Sequence, residues 1–130
     1  MSSRREFIAT GSLALAGLPA MAAINKKEGP LVHHVFFWMA NPASAADREK
    51  LLMGLRSLAK IDTIRSMRIG VPAATPARDV VDASYHFSLL LTFDDVHGHE
   101  NYQSHPVHTQ FVNNHKDLWA RVVVYDSVNL

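Results

Sequence analysis

Eight histidines stand in this chain of 130 residues, and five of them fall between His97 and His115. Imidazole is the side chain that changes charge near neutral pH, so a cluster of this kind suits proton transfer or metal ligation. His97-x-His99 comes first, and His105, His108 and His115 follow at i, i+3 and i+10. His105 and His108 are one helical turn apart, which turns both rings to one side. Three neutral imidazoles can hold zinc, copper or nickel. No acidic residue falls at a recognised ligand spacing with them, and Gly98 suggests an exposed turn. No metal site and no cofactor is therefore expected. The chain has no cysteine, which excludes thiolate zinc sites, cysteine nucleophiles, thiolate-held iron–sulfur clusters and any disulfide framework. A formal charge of +1 gives no footprint for nucleic acid.

The elements that would position these groups can be read from the pattern. Leu31 to Ala40, LVHHVFFWMA, is rich in β-branched and aromatic residues and reads as a strand. Val35 and Phe37 have one parity, Phe36 and Trp38 the other, so both faces need cover. His33 and His34 must point to opposite faces. Asn41-Pro42 breaks the strand, and Ser44 stands three residues before Asp47 as a helix start. Leu51, Leu52, Leu55, Leu58 and Ala59 then recur at helical spacing over about four turns. Ile64 to Val71 is a second strand, on which Arg65 and Arg68 have opposite parity and suit the rim. A proline-containing loop over 72–82 leads to a third strand, Ala83 to Phe93. Residues 95–104 read as a short helix and His105-Pro106 opens another, reaching about Leu118. Trp119 to Val128 is the last strand.

The order is β-α-β-β-α-β, an α+β arrangement of the ferredoxin-like type. It predicts a four-stranded antiparallel sheet with helices on one face. The other apolar face then requires a partner, and a second copy of the chain is the simplest one. A homodimer packed through its sheet faces is expected.

The first residues read as an address. Arg4-Arg5-Glu6-Phe7-Ile8 precedes a short apolar run to Leu18, and Pro19-Ala20-Met21-Ala22-Ala23 supplies an A-x-A cleavage site. Paired arginines followed by x-Phe-Ile resemble a twin-arginine export signal. The expectation is a signal peptide over residues 1–22, a linker over 23–30 and a domain over 31–130. Export to the periplasm follows, with no membrane attachment after cleavage. Removing Arg4, Arg5 and Glu6 brings the formal charge from +1 to zero.

Three segments carry a family resemblance: His34-Val35-Phe36-Phe37, Tyr102-Gln103-Ser104-His105-Pro106-Val107-His108 and Val123-Val124-Tyr125-Asp126. Together they resemble the stress-responsive dimeric α/β-barrel (Dabb) domain over about residues 31–128. The resemblance implies a ferredoxin-like protomer and a homodimeric barrel. Most members of that family have no assigned reaction, but a plant cyclase among them closes a polyketide ring by aldol condensation. Its tyrosine and two histidines match Tyr102, His108 and His34, which makes these the candidate catalytic residues by resemblance. Phe36 and Trp38 stand where that enzyme has smaller aliphatic residues, so its substrate does not carry over. Phe36, Trp38, His105 and Phe111 are the expected lining of a pocket between sheet and helices.

In chemical terms, a neutral His108 can accept a proton, Tyr102 can donate to a developing enolate or alkoxide, and His34 can orient the substrate. The same residues also suit a purely structural role: His105 as a helix cap, His108 bonded to a backbone carbonyl, Tyr102 packed on the sheet. The leading expectation is a module that binds a small apolar or aromatic molecule. The alternatives are a cyclase or lyase using Tyr102 and His108 as acid and base, or a haem-related monooxygenase of the kind found in other dimeric barrels.

Overall fold

A computed structural model describes residues 30–130 of the chain. The expected signal peptide, and the expected linker up to residue 29, lie outside the described residues. Within them the order is β1 (Leu31–Met39), α1 (Ala45–Ser57), β2 (Ile64–Gly70), β3 (Phe87–Phe93), α2 (Val96–Ser104), α3 (Pro106–His115) and β4 (Trp119–Val128). Short 3-10 turns over Leu58–Lys60 and Lys116–Leu118 follow α1 and α3. The sheet order is β2-β3-β1-β4, every neighbouring pair antiparallel. This is the ferredoxin-like βαββαβ fold with its helices on one face, as the apolar pattern predicts.

Alternation along β1 decides which residues meet the helices. Leu31, His33, Val35, Phe37 and Met39 are buried, and the side chains between them are half-buried. On β3 the same period buries Phe87, Leu89, Leu91 and Phe93. Leu51, Leu55 and Leu58 close over this face with no exposed surface. Each such side chain contributes roughly 1.5–3 kcal/mol by leaving water.

Local chemistry sets the helix ends. Ser44 Oγ accepts from the Asp47 N–H at 3.1 Å and starts α1. Asp95 Oδ1 accepts from the Gly98 N–H at 2.9 Å and starts α2, so Gly98 is helical where a turn is expected. His105 caps α3 with Nδ1, which accepts from the Val107 N–H at 3.0 Å, and Pro106 fills the first turn, where no N–H is needed. Gly54 allows α1 and α3 to approach closely. A Cβ placed there would lie 2.5 Å from His115 Nε2.

The third strand starts later than its sequence suggests, at Phe87 instead of Ala83. At 84–86 side chains interrupt the ladder. Ser84 turns back onto Asp82 Oδ1, and the Met39 N–H donates to His86 Nδ1 at 2.9 Å. No helix among the described residues is long and apolar enough to cross a membrane.

Among the described residues no helix covers the reverse face of the sheet. It presents His34, Phe36 and Trp38 from β1 beside Arg121, Val123 and Tyr125 from β4. Phe36 sits 4.3 Å from His34 and 4.9 Å from Tyr85, ring centre to ring centre. The Arg121 guanidinium lies 4.3 Å over the Trp38 ring. Tyr125 remains 66% exposed beside the Phe36 ring, whose centre lies 6.1 Å away, and leaves a large aromatic surface.

Candidate functional site

Where α2 and α3 lean over β1 and β4, they leave a cavity of about 360 Å³. β4 is an edge strand, and its inward Val122 and Val124 are 37% and 44% exposed, so the cavity opens along that edge. One end is apolar, made by Phe37, Phe111, Trp119 and Val122. Phe111 and Phe37 stand 5.7 and 5.2 Å from the Trp119 ring.

The other end is polar and holds His33, His99, Tyr102, His108 and Asp126. Strand register builds part of it. His33 on β1 faces Asp126 on β4, and His33 Nδ1 donates to Asp126 Oδ1 at 2.6 Å. Helical spacing builds the rest, because His99 and Tyr102 are three apart on α2 and share a face. The His33 ring lies 4.7 Å from His99 and 5.6 Å from Tyr102, and Tyr102 lies 4.7 Å from His108.

Burial governs the protonation of this group. It lowers the His33 pKa below the ordinary histidine value, outweighing the Asp126 bond and charge that act the other way. It also lowers His108, with smaller help from His33 and His99 and against a backbone hydrogen bond at Gln103. Burial alone raises Tyr102 well above the ordinary phenol range. At neutral pH His33 and His108 are thus neutral imidazoles beside a protonated Tyr102 phenol, and His108 and Tyr102 are an acceptor and a donor in the forms that move protons.

The structure brings together three of the residues singled out in the sequence: Tyr102, His108 and Phe111. It separates the others. His34 belongs to the reverse face, and the histidine in the cavity is its neighbour His33, because His33 shares the parity of Val35 and Phe37. Phe36 and Trp38 share the parity of His34. They line a shallow depression on the reverse face with Tyr85 and Tyr125, not the sheet–helix cavity. His105 is occupied as the α3 cap. Asp126 and His99 are named in the sequence reading but not placed in the pocket. The signals were present: Asp126 falls opposite His33 once the strands are paired, and His99 stands one turn before Tyr102.

The profile of the stress-responsive A/B barrel domain (Dabb) matches residues 31–129. Among solved structures, a Dabb-family protein with a ferredoxin-like fold from Mesorhizobium loti is 21% identical, with a TM-score of 0.64 over 78% of this chain and 99% of that one. A hydroxynitrile lyase from Passiflora edulis is 17% identical, with a TM-score of 0.66 over 78% and 94%. A dimeric ferredoxin-like protein of unknown function from Thermobifida fusca is 18% identical, with a TM-score of 0.61 over 84% and 100%. No curated protein matches the sequence. The chain belongs to the stress-responsive A/B barrel family.

Proposed function

We propose that this member of the stress-responsive A/B barrel family is an exported, periplasmic homodimer that binds a small apolar or aromatic molecule between its sheet and its helices. The observation that carries the reading is the cavity itself. Its volume of about 360 Å³ suits a small ligand, and its polar groups gather at one end of an apolar wall. A flat aromatic ring fits beside Phe37, Phe111 and Trp119, with an oxygen substituent facing Tyr102 and the histidines. The dimer is supported by the uncovered aromatic face around Phe36, Trp38 and Tyr125 and by the dimeric T. fusca neighbour. Export is supported by the paired arginines and the A-x-A site within residues 1–23.

The two tryptophans give a direct test, because Trp119 lines the cavity and Trp38 lies on the other face. In a Trp38→Phe variant all tryptophan emission comes from the cavity. Titration with aromatic aldehydes such as benzaldehyde is expected to quench it saturably, and Val35→Phe, which fills the cavity, is expected to abolish the effect. Linear, unsaturated quenching identical in both variants would overturn the reading. A monomer by light scattering at micromolar concentration would overturn the dimer.

A second reading is favoured by one specific observation, the convergence of Tyr102 and His108 at the polar end. Such a pair suits a cyclase or lyase step, with His108 accepting a proton from the substrate and Tyr102 donating to its oxygen. Cleavage of an aromatic cyanohydrin is one such step. The hydroxyl proton leaves to the base, the C–CN bond breaks, the carbonyl forms and cyanide takes up a proton. Release of benzaldehyde from mandelonitrile, lost in Tyr102→Phe and in His108→Ala, is the expected result. Equal rates in all three proteins would exclude this pair as the acid and base.

A further inference from the structure

The polar end of the cavity contains a group that the proton-transfer reading leaves unused. His33 on β1, His99 on α2 and Asp126 on β4 each present one ligand-type atom, and these atoms lie within 4.8 Å of one another. We propose that His33, His99 and Asp126 bind a divalent transition-metal ion at the polar end of the cavity.

Four features carry this. First, the three donors come from three different elements, so the fold gathers residues that are far apart in the sequence. Second, His99 Nε2 is buried and has no hydrogen-bond partner among the described residues. A buried ring nitrogen left unpaired is costly, and a cation would satisfy it. Third, the spacing lies within reach of a site. Bonds of about 2.0–2.2 Å to a tetrahedral ion place ligand atoms ~3.4 Å apart. Atoms up to 4.8 Å apart must close by as much as about 1.4 Å, while His33 Nδ1 and Asp126 Oδ1, now at 2.6 Å, must open by about 0.8 Å, movements within the range of side-chain rotation. Fourth, the donor set is selective. Two imidazoles and one carboxylate suit zinc and its neighbours, whereas magnesium and calcium prefer oxygen ligands throughout.

A proton now bridges His33 Nδ1 and Asp126 Oδ1 at 2.6 Å. A cation bound to both atoms replaces that proton, which moves to the other ring nitrogen. With three protein ligands the fourth position is left to the cavity, the arrangement that lets a bound ion meet a ligand oxygen. Other histidines of the 97–115 cluster are engaged elsewhere. His105 is the α3 cap, and His115 Nδ1 bonds the Phe111 carbonyl at 2.8 Å under α1.

The test uses untagged, chelator-treated protein, zinc titrated by calorimetry and cobalt(II) followed by visible absorption. One zinc per protomer is expected, with cobalt giving the intense bands of a four-coordinate site. His99→Leu keeps the volume and removes only a donor. It is expected to weaken zinc binding about 100-fold, and Asp126→Asn at least about tenfold. His97→Ala, which changes a histidine outside the group, is expected to bind as the parent does. Wild-type protein that binds zinc no tighter than about 1 mM would overturn the proposal, as would equal binding by His99→Leu. If His99→Leu fails to fold, Asp126→Asn with an unchanged melting profile decides in the same way. The aldehyde titration, run in chelator, reads the cavity without the metal, so the two proposals fail separately.

Discussion

The two faces of the sheet are built from similar residues and differ in what lies on them. β1 supplies aromatic rings and one histidine to each face. On the helix side, Phe37 is buried among Phe111 and Trp119, and His33 is bonded to Asp126. On the reverse side, Phe36 and His34 lie half-buried against each other, ring centres 4.3 Å apart, with no helix among the described residues above them. A shift of one residue therefore exchanges a core ring for a ring of the reverse face, and a cavity histidine for a reverse-face histidine. Composition cannot distinguish the two sides. Partners across the strand and above the sheet can.

The strongest way to break this comparison is to truncate the two neighbouring rings in turn. Phe37→Ala is expected to cost ~3–5 kcal/mol of unfolding free energy, because it empties a site that the helices have closed. Urea denaturation of the dimer and of a dilute monomer should show similar losses. Gly54→Ala tests the same side from above. Its new methyl meets the His115 ring, which is stacked on Phe111 at 5.0 Å and bonded to the Phe111 carbonyl, so it cannot retreat freely. The expected loss is ~1–3 kcal/mol, read as a lower urea midpoint. Phe36→Ala should act elsewhere. It is expected to raise the dimer dissociation constant roughly tenfold or more by sedimentation, leaving monomer unfolding within about 0.5 kcal/mol. A Phe36→Ala protein that loses as much monomer stability as Phe37→Ala would show that the reverse face is core and not interface.

These contrasts also show how much was legible beforehand. The element order was legible because β1, β3 and β4 contain apolar runs and α1 and α3 carry their own start signals, Ser44 and Pro106. The aromatic residues were legible as needing cover on both faces. Their assignment to faces was not, because an apolar strand with both parities filled has no polar side to orient it. His34 thus took the place of His33, and Phe36 and Trp38 were placed in a cavity they do not reach. Asp126 was hidden for another reason. Its partner lies 93 residues away, and only the pairing of β1 with β4 brings the two together. His99 was named only as part of a histidine cluster, because Gly98 beside it suggests an exposed turn, whereas the Asp95 cap holds both inside α2.

The smallest effect gives the sharpest comparison, because it exchanges the two adjacent histidines. His33→Leu removes the partner of Asp126. The carboxylate is 43% exposed and can turn to water, so the expected loss is only about 1 kcal/mol. The consequence in the cavity is larger, since the polar end loses the group lying between His99 and Tyr102. Run in chelator, so that any metal is out of play, the aldehyde titration should shift for His33→Leu. For His34→Leu it should not shift, and stability should change by less than about 0.5 kcal/mol. The reverse outcome, a titration altered by His34→Leu and indifferent to His33→Leu, would mean that the ligand lies in the barrel formed by two reverse faces. The cavity beneath the helices would then serve packing alone.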